Sequence, residues 1–125
     1  ILFSSDSLGF HFPGRAFLPL YFTGARPYLD ELDHIKAFEP ELICPAHQGS
    51  ISGRKAVKAI CESIDTTTRL IDKIVHSQRD DEDLAKEIFT RHYVDEFTLY
   101  TRENIMNCSR LLVKRARQSI ETQVD

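Results

Sequence analysis

The sequence has no closely spaced pair of cysteines. Cys44, Cys61 and Cys108 are odd in number and far apart, which excludes a disulfide framework and a zinc knuckle and leaves three buried free thiols as the expectation. No apolar run reaches the ~18–20 residues that a membrane-spanning helix needs. The opening ILFSSDSLGF also lacks the basic flank of a signal peptide, so a cytoplasmic protein with no membrane partner is expected. Positive charge is not in excess: 16 Lys and Arg stand against 19 Asp and Glu, a net charge of -3, so no global field draws the chain onto nucleic acid. Internal repeats and low-complexity tracts are missing too, which excludes solenoids and disordered linkers. What remains is ordinary globular material, 42% hydrophobic and 28% charged over 125 residues, enough for one modest core. The first residue is Ile, inside the apolar stretch Ile1-Leu2-Phe3 with no turn or cap before it, as expected of a chain cut from a longer one.

Periodicity divides the chain into five or six elements. Residues 1–4 read as a strand ending at Ser5-Asp6-Ser7. Residues 9–24 form a Pro- and Gly-punctuated loop rich in aromatics (Phe10, Phe12, Phe17, Tyr21, Phe22), and so apolar a loop must pack against something. From Pro27 the apolar positions Leu29, Leu32, Ile35 and Phe38 recur at helical spacing until Pro40. Leu42, Ile43 and Cys44 make a second short strand, which breaks into Pro45-Ala46-His47-Gln48-Gly49. Ser52 can cap a long helix to about His76, with Val57, Ile60, Ile64, Ile71, Ile74 and Val75 as its stripe, interrupted by the polar Thr66-Thr67-Thr68. After a charged hinge, Leu84, Ile88, Phe89 and Tyr93 mark a shorter helix. Thr101 opens the last one, with Ile105, Cys108, Leu111, Leu112 and Ile120 as its apolar face. The composition shift near Ser77 separates an α/β part, residues 1–76, from a helical tail, residues 77–125.

Strand, helix and strand between residues 1 and 44 form a βαβ-like unit, and a residue of metal-ligand type follows each strand: Asp6 the first, His47 the second. Loops beyond strand ends are where α/β folds assemble sites, because the strands hold them rigidly. A carboxylate has two oxygens and can bridge two cations, and an imidazole nitrogen completes one cation's shell, so the pair suggests half of a dinuclear site.

At these residues the chain resembles the metallo-β-lactamase superfamily. "LFSSDSLGF" is similar to the family's strand ending in an acidic residue, and "ICPAHQG" to its later Pro-x-His-Gly-like turn, although Ala46 and Gln48 stand where the family often has glycine. The resemblance covers roughly residues 1–76. It implies the C-terminal half of an αββα sandwich, with Asp6 as the metal-bridging carboxylate and His47 as the last histidine ligand. It further implies two zinc ions, with iron or manganese as substitutes, and hydrolysis by metal-activated water. The family handles thioesters, lactones, β-lactams and phosphodiesters, and some members are iron oxidoreductases. Its main signature, His-x-His-x-Asp-His, and a further histidine ligand are not in these 125 residues: no two of His11, His34, His47, His76 and His92 are separated by one residue. The expectation is therefore a fragment of a metal-dependent hydrolase, inactive alone. Its missing N-terminal half, or a second copy in a homo-oligomer, is the expected partner, alongside a small-molecule substrate. Arg15, Tyr21 and Arg26 are the candidate substrate contacts from the aromatic loop and its end.

Plainer readings stand beside these. An Asp after a strand is commonly a turn residue, and Cys44 reads as a buried thiol with no neighbouring base. Ser4-Ser5-Asp6 with a distant histidine suggests a serine hydrolase, but there is no GxSxG elbow. In the tail, Arg110, Lys114 and Arg117, with Arg115 adjacent, recur at helical spacing; they read as a solvated face rather than a nucleic-acid stripe. A noncatalytic helical interaction or dimerisation module is the alternative function.

Overall fold

The computed structural model describes residues 1–10, 18–45 and 49–121. The chain is mixed α/β and mostly helical. Strand β1 (Leu2–Ser5) leads through the aromatic segment to helix α1 (Ala25–Ala37), then β2 (Leu42–Pro45) and the two-residue β3 (Ile51–Ser52). Helices α2 (Arg54–His76), α3 (Asp81–His92) and α4 (Arg102–Glu121) complete it, with a 3₁₀ turn at Asp95–Leu99 between the last two. The sheet order is β1-β2-β3, with β1 and β2 parallel and β3 antiparallel to β2. The expected βαβ unit is therefore present: α1 is the crossover that parallel strands require.

Register separates the two faces of the sheet. Leu2 pairs with Ile43, and Ile43 with Ile51. This row faces the helices: Ile43 is fully buried, and Leu2 and Ile51 pack against the core. Phe3 pairs with Cys44 on the opposite face, because side chains alternate along a strand. There Phe3 is 79% exposed and Cys44 half-buried. The helices cover one face of this sheet.

One buried cluster fills the covered side. It combines Leu8, Leu18, Tyr21, Leu32 and Ile43 with Ile60, Ile74, Leu84, Ile88, Phe97, Ile105 and Leu112, so residues on both sides of Ser77 share it. The aromatic segment does pack against something: the Phe10 ring meets Phe97 at 5.4 Å and Tyr100 at 5.8 Å, both edge to face. Such pairs add roughly 0.5–1.5 kcal/mol beyond the area they bury.

Several local expectations change. α1 begins two residues before Pro27, whose missing N–H falls in the first turn, where backbone donors lack intrahelical partners in any case. Phe38 lies past its end and is 76% exposed. Ser52 does not cap α2: it pairs with Leu42 in β3, and Gly53, at φ +59°, takes the cap position without a side-chain bond. The buried stripe of α2 runs Ala56, Ala59, Ile60, Ser63, Thr67, Ile71, Ile74, while Val57 sits outside it, more than half exposed. Thr67 is no interruption. Its hydroxyl donates to the Ser63 carbonyl at 2.6 Å, so a polar residue fits a dry surface. The thiol expectation fails for Cys61, which is exposed; Cys108 is half-buried, and burial pushes its thiol up.

The tail is fastened through its arginines. Thr101 caps α4 as expected, accepting from the Asn104 amide at 3.1 Å. The buried face is Ile105, Ser109, Leu112, Val113 and Ala116, rotated from the expected one, and Ile120 is left 37% exposed. Arg110 forks onto both Glu82 oxygens at 2.8–3.2 Å. Arg117 donates to Asp81 Oδ1 at 3.0 Å and to the Ser77 and Arg79 carbonyls at 3.0 and 3.2 Å. Arg115 donates to the Phe22 carbonyl at 2.7 Å. The basic stripe is thus a set of ties from α4 to the start of α3 and to the aromatic segment, not a free solvated face. Lys114 is exposed.

Candidate functional site

At the end of β1 the chain turns sharply through Asp6-Ser7-Leu8. Ser7 N–H donates to the Ser4 carbonyl at 3.0 Å and Gly9 N–H to the Asp6 carbonyl at 2.9 Å, so the turn closes on its own backbone. Phe10 and Leu18 then exchange two backbone bonds of 2.9 Å, which return the chain after the aromatic segment. Gly9 is required here. It sits at φ +83°, and a Cβ on it would meet the Leu18 carbonyl oxygen at 2.6 Å. Leu8 drives its side chain into the core at 2% exposure, and the Ser7 hydroxyl donates to Glu31 on α1 at 2.8 Å. Asp6 itself is exposed on this anchored turn.

Strand β2 ends beside it. Ser5 pairs with Pro45, so two adjacent parallel strands release their chains at the same sheet edge, about 4.8 Å apart by ordinary strand spacing. Asp6 follows one strand, and the segment with Ala46, His47 and Gln48 follows the other. His47 and Arg15 lie outside the described residues.

Of the other candidates, Tyr21 is fully buried, its ring edge-on to Tyr28 at 6.2 Å. Burial pushes its phenol well above the ordinary range. Its hydroxyl has no hydrogen-bond partner among the described residues. Arg26 is exposed and lines an open groove of about 330 Å³ with Asp30, Asp33 and Asp72, a set that does not include Asp6. His34 is exposed on α1, and His76 is tied through Nδ1 to the Asp72 carbonyl at 2.9 Å. His92 is buried, and desolvation, with Arg91 adding to it, lowers its pKa to about 4.

Among the described residues, no group of three or more His, Cys, Asp or Glu side chains is placed to hold a metal ion. Asp6 has the donor type of a bridging ligand, but it is one ligand, and a catalytic zinc takes three. A metal centre on this edge therefore needs ligands from beyond the described residues. Sequence reasoning missed the side chains that touch the Asp6 turn: Ser63, whose hydroxyl donates to the Leu8 carbonyl at 2.8 Å, and Glu31, which accepts from Ser7. The signal available for Ser63 was its i, i+4 relation to Thr67 on an otherwise apolar helix face. Compared with models of known protein families and with curated proteins, the chain matches none.

Proposed function

We propose that the chain is the C-terminal part of a metal-dependent hydrolase of the metallo-β-lactamase type, with Asp6 and His47 contributing two ligands to a dinuclear site. The observation that carries this reading is the shared exit of β1 and β2: parallel neighbours joined by α1, with Asp6 after one and the His47 segment after the other. The one-sided sheet supports the sandwich half of the proposal. Helices cover the Leu2-Ile43-Ile51 row, and Phe3 stands bare on the other face, where a second sheet would pack.

In this reading the other half of the protein, or a second copy, supplies the remaining ligands and the second sheet. Zinc is the first expectation, with iron or manganese as alternatives, and the metals' contribution is to make water nucleophilic at neutral pH. The part of this chain is to hold a carboxylate and an imidazole on rigid strand ends. Arg26, and Arg15 in the segment between Phe10 and Leu18, are the cationic residues proposed to meet a small anionic or carbonyl-bearing substrate. No membrane is involved in the proposal: no helix of the described residues is long and apolar enough to cross one. Nucleic acid is not the proposed partner either, since three arginines of α4 are engaged within the chain.

The test is hydrolysis of a panel of thioester, lactone, β-lactam and phosphodiester substrates by the intact protein, with Asp6→Ala and His47→Ala beside it. Both substitutions are expected to abolish whichever activity the wild type shows. Activity that survives both would remove the proposal.

A further inference from the structure

The turn carrying Asp6 is held from beneath by a side chain on a different element. Ser63 lies on the buried face of α2, 1% exposed, and its hydroxyl donates to the Leu8 carbonyl at 2.8 Å. That carbonyl belongs to a turn residue whose side chain is itself buried, so without Ser63 a buried acceptor is stranded. One turn on, the Thr67 hydroxyl donates to the Ser63 backbone carbonyl at 2.6 Å, so the neighbouring polar group on this buried face is satisfied within the helix. The turn is also tightly packed at Gly9. Beside Gly9, the Leu18 carbonyl oxygen and the Tyr28 hydroxyl lie only 2.6 and 3.2 Å from where a Cβ would stand. A second side-chain tie among the described residues, Ser7 to Glu31, is exposed to solvent, where water competes for both partners.

We propose that Ser63 is a positioning residue for Asp6. Its bond sets the height of the Leu8 carbonyl above α2. Through the closed turn, Gly9 N–H to Asp6 carbonyl, it sets the direction in which residue 6 leaves the sheet edge. The geometry stands by itself, while its consequence for a metal rests on the reading of Asp6 as a ligand. Partners of metal ligands behave this way in general: their loss costs about 10–100-fold in metal affinity without removing a ligand.

The experiment uses the intact protein with Ser63→Ala, Ser63→Cys and Ser109→Ala. Ser109 is the control, a buried serine only 2% exposed whose hydroxyl donates to the Ile105 carbonyl within α4 at 2.8 Å. Amide hydrogen exchange at Ser7 and Gly9 is read first, then affinity for zinc alone by competition with a chelator. Ser63→Ala is expected to speed exchange at both amides about tenfold and to weaken zinc binding about tenfold, at the low end for such partners. Ser109→Ala is expected to change neither, even where it lowers the melting temperature equally. Ser63→Cys keeps the side-chain shape with a weaker donor and is expected to shift both readouts the same way by less; it decides the matter where the alanine variant does not fold. Unchanged exchange at Ser7 and Gly9 in the folded Ser63 variants, or an equal change in Ser109→Ala, overturns the inference. Asp6→Ala separates the two proposals. Zinc binding lost there but untouched by the Ser63 variants removes only the positioning role, whereas zinc binding indifferent to Asp6 removes the metal reading.

Discussion

Thr67 and Ser63 carry hydroxyls into the driest side of α2, and His92 carries an imidazole into the packing between α2, α3 and the 3₁₀ turn, edge-on to Phe97 at 6.3 Å. For the hydroxyls the outcome is neutral, because each donor finds a carbonyl. For His92 it is not, since burial favours the uncharged ring. The unfolded chain takes up a proton near the ordinary value of 6.5 and the folded chain only near 4, so between them the unfolded state binds more protons. The cost is absent above about pH 6.5, grows as pH falls, and is complete below about pH 4. The full shift corresponds to a loss on the order of 3 kcal/mol, most of it expressed by about pH 4.5. Denaturant melts at pH 7 and pH 4.5 are expected to show that loss in the wild type and a smaller one in His92→Gln; equal losses would contradict the assignment. These residues also mark what the sequence hides at this scale. Thr67 reads as a break in an apolar stripe because a sequence does not display the i to i−4 bond that neutralises its hydroxyl. Asp6 was legible because a strand pattern stops at it, but the buried support from Ser63, fifty-five residues away from Leu8, was not.

At the scale of elements, apolar periodicity located α1, α2, α3 and α4, because each buries one stripe against the same core. Their orientations were less accessible. The buried face of α4 is rotated from the expected one, since it is set by where α3 lies, and α3 is held by ties that cross between helices. Asp80 caps α3, its carboxylate accepting from Glu82 N–H at 3.5 Å, and three acidic residues in its first turn complement the helix dipole. The Arg110 guanidinium beside Glu82 holds that carboxyl below its usual range. Arg117 differs in kind from Arg110, because two of its three bonds end on backbone carbonyls at the α2–α3 junction and its side chain is only 25% exposed. Arg117→Ala is expected to cost roughly 1–2 kcal/mol, the range for charge-assisted bonds that leave acceptors behind. Arg110→Ala, at a more exposed pair whose partner is a side chain that water can reach, is expected to cost less. Thermal melts of the two variants check the order, and an equal or reversed order would show that the junction is not what Arg117 holds.

At the scale of the whole molecule, the sheet decides the account. Three short strands with the described helices on one face leave Phe3, on the edge strand β1, at 79% exposure and Ile1, just before it, at 83%. Edges and apolar faces of this kind invite association. In the isolated 125-residue chain, Phe3→Ser is expected to reduce self-association in sedimentation velocity at little cost in stability. Where a second sheet packs on this face, as the proposed function has it, the same change is expected to destabilise by about 2 kcal/mol, the value of a phenyl ring lost from such a contact. An intact protein indifferent to Phe3→Ser would mean that this face meets solvent in the native assembly. The βαβ order was readable from apolar runs and turn residues. That the described helices all lie on one face of the sheet was not, because short strands this apolar read alike whether one or both faces are buried.

The most direct measurement is the amount of zinc, iron and manganese per polypeptide in the intact protein, for wild type and Asp6→Ala, after loosely held ions are removed. The account predicts about two ions per chain in the wild type, as a dinuclear centre requires, and fewer than about one in Asp6→Ala, since a bridging carboxylate serves both ions. A wild-type protein without tightly held metal, or an Asp6→Ala protein with the wild-type complement, would contradict it.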